Sequence, residues 1–114
     1  METKQQISFI DFVEIEKQLS IKIGMVTDAE LVPKSYGLKL TVDFGDGDVR
    51  TVFTNLGKTH TALDFVGGLF PFITNLEPTL IKGVESHAMI LVGEKPSGEV
   101  ALSLSVYSAG TKLL

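Results

Sequence analysis

Apolar and polar residues change their spacing several times along this chain, and each change marks an element. Ser8 to Leu19 opens with a serine placed to cap a helix and Asp11 three residues on, the arrangement of a capping box with Asp in place of Glu, so a short leading helix is predicted. From Ile21 to Val32 the spacing becomes extended, with Ile21, Ile23 and Met25 alternating, and Pro33 blocks any helical continuation. Leu38, Leu40, Val42 and Phe44 then alternate with Lys39, Thr41 and Asp43, which reads as a strand with one face buried. Asp46-Gly47 tolerates the positive φ angles of a tight hairpin turn, and the return strand spans Val49 to Leu56.

Ala62, Leu63, Phe65 and Val66 fit one or two helical turns ended by Gly67-Gly68. "LFPFITNL" is too apolar for an exposed loop, but Pro71 has no N–H to give a ladder, so this strand is expected at a sheet edge or with a bulge. Two further strands are predicted in "HAMILVGE" and "VALSLSV", joined by a hairpin loop at "KPSG". Many short strands around one internal helix, with no repeat and no linker, describe one mainly β domain over residues 1–114, a small barrel.

Composition narrows the function. With 44% hydrophobic and 21% charged residues the chain is globular, and the absence of cysteine removes disulfides, thiolate nucleophiles and thiolate metal sites. Charges scattered through "METKQQISFIDFVEIEK" break up any signal-peptide core, no window reaches ~18 apolar residues, and the expected location is cytoplasmic. A net charge of −4 repels polyanions as a whole, so a nucleic-acid site would have to be a local basic patch.

The remaining candidates divide into sites and structure. Asp43, Asp46 and Asp48 lack the spacing of an EF-hand, whose twelfth position needs a glutamate where Thr54 stands, so the acidic stretch reads as a turn. His60 and Asp64, four apart, are an exposed helix pair without further ligands, and His87 has no serine or acid arranged around it. Taken alone, Asn75 and Pro78 make a turn, Ser86 caps one, and Met89 fills a core. No cofactor is called for. No nucleophile, base and orienting group converge, so the chain is read as a non-enzyme.

"ISFIDF", "IKIGMV", "GLKLTVDFGDGDVRTVFTNLGK", "VGG" and "NLEPTLIKGVESHAMIL" together resemble the tRNA-binding domain family. That family includes C-terminal extensions of methionyl-tRNA synthetases, stand-alone structure-specific tRNA-binding proteins and CsaA-type secretion chaperones. The resemblance implies a five-stranded OB-fold barrel with an additional C-terminal strand region used in dimerisation. It also implies tRNA as the ligand and a second copy of the chain as a partner, with unfolded polypeptides or a tRNA synthetase as further partners. Its RNA face corresponds here to Asn75, Lys82, Ser86 and Met89, and Lys34, Lys39 and Lys58 beside strand ends would add phosphate contacts. Glu77, Thr79 and Leu80 stand where the family usually carries basic residues, which removes charge from that patch. The alternative implied by the resemblance is a CsaA-like dimeric chaperone lined by apolar residues such as Leu80, Ile81 and Met89.

Overall fold

A single long strand organises the molecule. The structure is a computed structural model that describes residues 3–104 and 107–113. Strand β1, Ile21–Leu31, pairs along one side with β4, Leu69–Ile73. Along its other side it pairs first with β10, Lys112–Leu113, and then with β2, Leu38–Asp43. A register shift between Val26 and Asp28 bends β1 where it changes partners, as bulges do, and the sheet curls around the core. Strand β3, Val49–Thr54, and strand β7, Met89–Ile90, complete the order β3-β2-β1-β4-β7, with β10 off this path. The result is a curled half-barrel of OB type.

The alternation in the sequence becomes the core. Leu38, Leu40 and Val42 point inward from β2 to meet Val26, Val52, Phe65 and Phe72, all without appreciable exposure. Gly24 in β1 makes room for this packing, since a Cβ there would lie 2.4 Å from Val42 and 2.7 Å from Phe44, whose ring meets Phe72 edge-on at 5.3 Å. The β2–β3 hairpin turns at Asp46-Gly47 as expected, both residues in the left-handed region, and Asp48 N–H donates to Gly45 O at 2.9 Å. Asp43 accepts from Gly45 N–H at 2.7 Å, so the acidic stretch is a turn, and no metal-ligating group of three is present among the described residues.

Helix α1, Phe9–Gln18, starts at Ser8, whose Oγ accepts the Asp11 N–H at 3.1 Å. None of its residues is buried, and Phe9, Ile10, Phe12 and Ile15 lie exposed along it. The internal helix is a single 3-10 turn, Ala62–Asp64, ended by Phe65 and the left-handed Gly67. His60 and Asp64 do not pair across it. Asp64 accepts the Thr61 N–H at 2.7 Å, while His60 Nε2 accepts from Ala101 N–H at 3.3 Å.

Three expectations are corrected. Strand β4 lies inside the sheet, not at an edge, in spite of Pro71. Opposite Pro71, Ile23 turns its own N–H and C=O away to Thr111 and Gly110, so that pairing position needs no proline N–H. On the other side Pro71 O accepts from Leu91 N–H at 2.9 Å, but nothing can be donated in return. The ladder stops there, which breaks the expected strand at 87–94. Its residues fall partly into β7 and partly into β8, Val92–Lys95, which leaves the sheet to pair with β9, Gly98–Ala101, across the expected hairpin turn. The strand expected at 100–106 therefore ends at Ala101; Leu104 N–H bonds Leu69 O at 2.8 Å without forming a strand, and Ser105 and Val106 lie outside the described residues.

Candidate nucleic-acid interface

Two adjacent concavities flank a small hairpin made by β5, Thr79–Ile81, and β6, Val84–Ser86. Its two-residue turn, Lys82-Gly83, has φ of 51° and 81°, the pair of positive angles that a type I′ turn requires.

The first is an open cleft of about 570 Å³ lined by Lys34, Ser35, Tyr36, Asn55 and Lys82. Three separate loops build it. The β1–β2 loop is stapled by Ser35, whose Oγ donates to Val32 O at 2.9 Å and accepts from Gly37 N–H at 3.0 Å. It is fastened to the loop after β3 by Gly57 N–H donating to Tyr36 O at 2.7 Å. That approach demands glycine, because a Cβ on Gly57 would lie 2.4 Å from the Tyr36 carbonyl oxygen. With its backbone held, the Tyr36 ring stands 56% exposed, and Lys58 Nζ sits 5.1 Å from its centroid. Lys34 and Lys82 thus share the cleft with Tyr36, and Lys58 reaches its ring from a third part of the chain. None of the three has an ion-pair partner among the described residues.

The second concavity, about 270 Å³, is lined mainly by Phe53, Leu76, Ile81, Ala88 and Met89, with Glu77, Thr79 and Ser86. Leu80, 73% exposed, is not among its lining residues, because it pairs with Glu85 and alternation along β5 turns it to the opposite face from Thr79 and Ile81.

The residues singled out in the sequence separate accordingly. Lys34 and Lys82 line the cleft, and Lys58 sits over the Tyr36 ring at its edge without lining it. Lys39 does not join them, because its Nζ lies 3.5 Å from Glu30 and it lines a different pocket with Thr51, Glu85 and His87. Met89 is half-exposed in the apolar groove. Ser86 borders that groove but is only 7% exposed, with its hydroxyl engaged by Phe53 N–H at 3.0 Å and Ala88 O at 3.1 Å. Asn75 lies at the exit of α1, where its Oδ1 accepts Ser20 N–H at 2.8 Å and its Nδ2 donates to Gln18 O. Both polar atoms of its side chain serve the backbone.

Tyr36 and Asn55 were not singled out in the sequence. A signal for Tyr36 was present, since "PKSYGLK" places an aromatic between two lysines in a loop. Asn55 carried none, because only the folded chain brings it opposite Lys82.

A curled β-sheet presenting a lysine-rimmed cleft beside an exposed aromatic ring is the architecture of an oligonucleotide-binding domain. Comparison with known proteins gives the family. The family described as putative tRNA binding domain matches residues 21–111, and the chain belongs to it. A methionine–tRNA ligase of Archaeoglobus fulgidus is 39% identical over 104 residues, covering 90% of this chain but 15% of the ligase. The ligase of Methanococcoides burtonii is 38% identical over 91 residues, 79% of this chain and 13% of its own. The chain therefore spans about one seventh of the ligases it matches. Among solved structures, a MetRS-related protein from Pyrococcus horikoshii superposes with a TM-score of 0.85 at 27% identity, covering 96% of this chain and 100% of that one. The chaperone CsaA from Bacillus anthracis superposes at 0.79 with 26% identity over the same shares.

Proposed function

We propose that this chain is a non-catalytic cytoplasmic binding module that docks on folded tRNA through the Lys34–Lys82 cleft and the neighbouring Lys58. The observation that carries this reading is the gathering of three lysines from three loops, Lys34 and Lys82 lining the cleft with Tyr36 and Lys58 over the Tyr36 ring, in a molecule of net charge −4. Such a cluster gains nothing for the fold, because like charges repel, and its value lies in phosphate contact. Three phosphate contacts give a log-log salt slope of about −2 to −3. Filter binding to total tRNA across a salt series tests this: Lys82→Ala should weaken all tRNAs alike and make the slope shallower by about 1. Unchanged affinity in both Lys34→Ala and Lys82→Ala would place the RNA elsewhere.

The apolar groove favours a second reading. Phe53, Leu76, Ile81 and the half-exposed Met89 fit an extended apolar segment of an unfolded polypeptide. Suppression of aggregation through that groove would be insensitive to salt and lost in Met89→Asp. The module also acts as a homodimer in this reading, since Phe9, Ile10, Phe12 and Ile15 line a helix and stay exposed among the described residues. Light scattering should then give twice the 12.3 kDa of one chain.

A further inference from the structure

Within the cleft, the Tyr36 ring is placed to do something that lysines cannot. Its backbone is tied to the loop after β3 and the loop that carries it is stapled by Ser35, yet Tyr36 stays more than half exposed. Lys58 lies over the ring but is not among the residues that line the cleft. Tyr36 shares the lining of the cleft with Lys34, Lys82 and Asn55. The exposed Asn55 amide makes no hydrogen bond among the described residues, so it offers both a donor and an acceptor. A volume of about 570 Å³ lies within the range of small-ligand sites and exceeds what a phosphate alone would need.

Backbone conformation adds an independent observation. Lys34, at φ 60°, and Lys82, at φ 51°, are two of the three non-glycine residues in the left-handed region among those described, and both line this cleft. Glycine would relieve each position, so the strain accompanies side chains kept for use.

Resting on the reading of the cleft as an RNA site, we propose that Tyr36 stacks one unpaired base of the RNA. Asn55 reads that base's edge, while Lys34 and Lys82 take the phosphates on either side of it. A continuous duplex keeps its bases stacked on each other and cannot offer one to the ring. The site therefore selects an extrahelical nucleotide beside a turn of the backbone, not helical RNA in general.

The test uses two RNA hairpins with the same stem, one carrying a single unpaired 2-aminopurine and the other fully paired, at one fixed salt concentration. The wild-type protein should prefer the first by roughly tenfold, the scale of one base stacked on an aromatic side chain, and should change the 2-aminopurine fluorescence. Tyr36→Phe should keep both effects. Tyr36→Leu should lose both while its melting temperature stays that of the wild type, because the ring is exposed. Equal affinity of the wild-type protein for the two hairpins, with Lys82→Ala weakening both, would overturn the stacking role and leave the tRNA-binding reading standing. Persistence of the preference in Tyr36→Leu would overturn it too, and binding to neither hairpin nor tRNA would overturn both readings.

Discussion

Ser86 Oγ accepts the backbone N–H of Phe53 at 3.0 Å and so takes the place of a strand carbonyl along the seam where β3 meets the β6–β7 segment. A backbone bond assists it nearby, His87 N–H to Thr51 O at 2.9 Å. The same hydroxyl donates to Ala88 O, which fixes its direction. Replacing it should leave the Phe53 N–H unsatisfied in a part-buried place, at a cost of about 1–3 kcal/mol. Ser86→Ala is therefore expected to lower the urea midpoint with an unchanged m-value, and to leave the salt slope of tRNA binding as it was. Weakened tRNA binding at undiminished stability would instead put Ser86 in the interface.

The strands that form the curled sheet were legible because their register buries one face. Leu38, Leu40 and Val42 alternate with half-buried neighbours, and a slip by one residue would put all of them into solvent. Ser8 and Asp46-Gly47 were legible because capping and turn chemistry are local. What sequence reasoning could not resolve depends on atoms brought together from far apart. Pro71 reads as an edge residue until Ile23 is seen to turn its backbone elsewhere, and Lys112–Leu113 carries no strand signal until it meets Ile21 and Lys22. Lys39 looked equivalent to the cleft lysines until Glu30 was brought beside it by the β1–β2 register. In the same way Asn75 reads as a turn residue, and its partners Gln18 and Ser20 lie far back in the chain.

Asn75 bridges the last carbonyl turn of α1 and the first residue before β1, with Thr74 adding a hydroxyl contact to Ser20 Oγ at 2.7 Å. Because α1 buries none of its own residues, this bracket supplies much of what holds the helix in place. Asn75→Ala should cost about 1–2 kcal/mol for the two lost bonds. More tellingly, amide exchange should accelerate in residues 9–18 while β2 and β3 keep their protection. Uniform acceleration across the whole chain would mean that the helix is held by other means.

The Arg50 guanidinium lies against Asp48 with both carboxylate oxygens at 2.9 Å, and it reaches on to Thr74 O at 2.6 Å and over the Phe44 ring at 5.2 Å. That hydrogen bonding holds the Asp48 carboxyl below its ordinary value of 3.8; slight burial opposes the shift, and attraction from Arg50 and Lys22 supports it. In the unfolded chain Asp48 binds its proton at the ordinary value, so between the two values the unfolded state carries more protons. The contribution is complete above about pH 5 and is lost as the pH falls through the folded value. The pair is partly exposed, so it should amount to no more than about 1 kcal/mol. The stability gap between wild type and Asp48→Asn is expected to narrow as the pH is lowered from 5 to 2. A gap independent of pH would show that the aspartate acts through shape alone.

Lys34 and Lys82 set fold against function most directly. Each holds a left-handed conformation that costs a residue with a Cβ about 1–2 kcal/mol, partly offset because glycine loses about 0.5–1 kcal/mol more in chain entropy on folding. At Lys82 the substitution yields Gly-Gly, a sequence that type I′ turns favour. Lys34→Gly and Lys82→Gly should therefore be neutral or stabilising by up to ~1 kcal/mol in urea unfolding, while each removes one phosphate contact and makes the tRNA salt slope shallower by about 1. Alanine at the same positions should lose the same binding but gain no stability, since it keeps the Cβ. This pairing separates the two causes of weak binding, because a variant that is at least as stable as the parent cannot owe its loss to unfolding. Glycine variants that bind tRNA like the parent would show that the strained lysines do not contact RNA, whatever their effect on the fold.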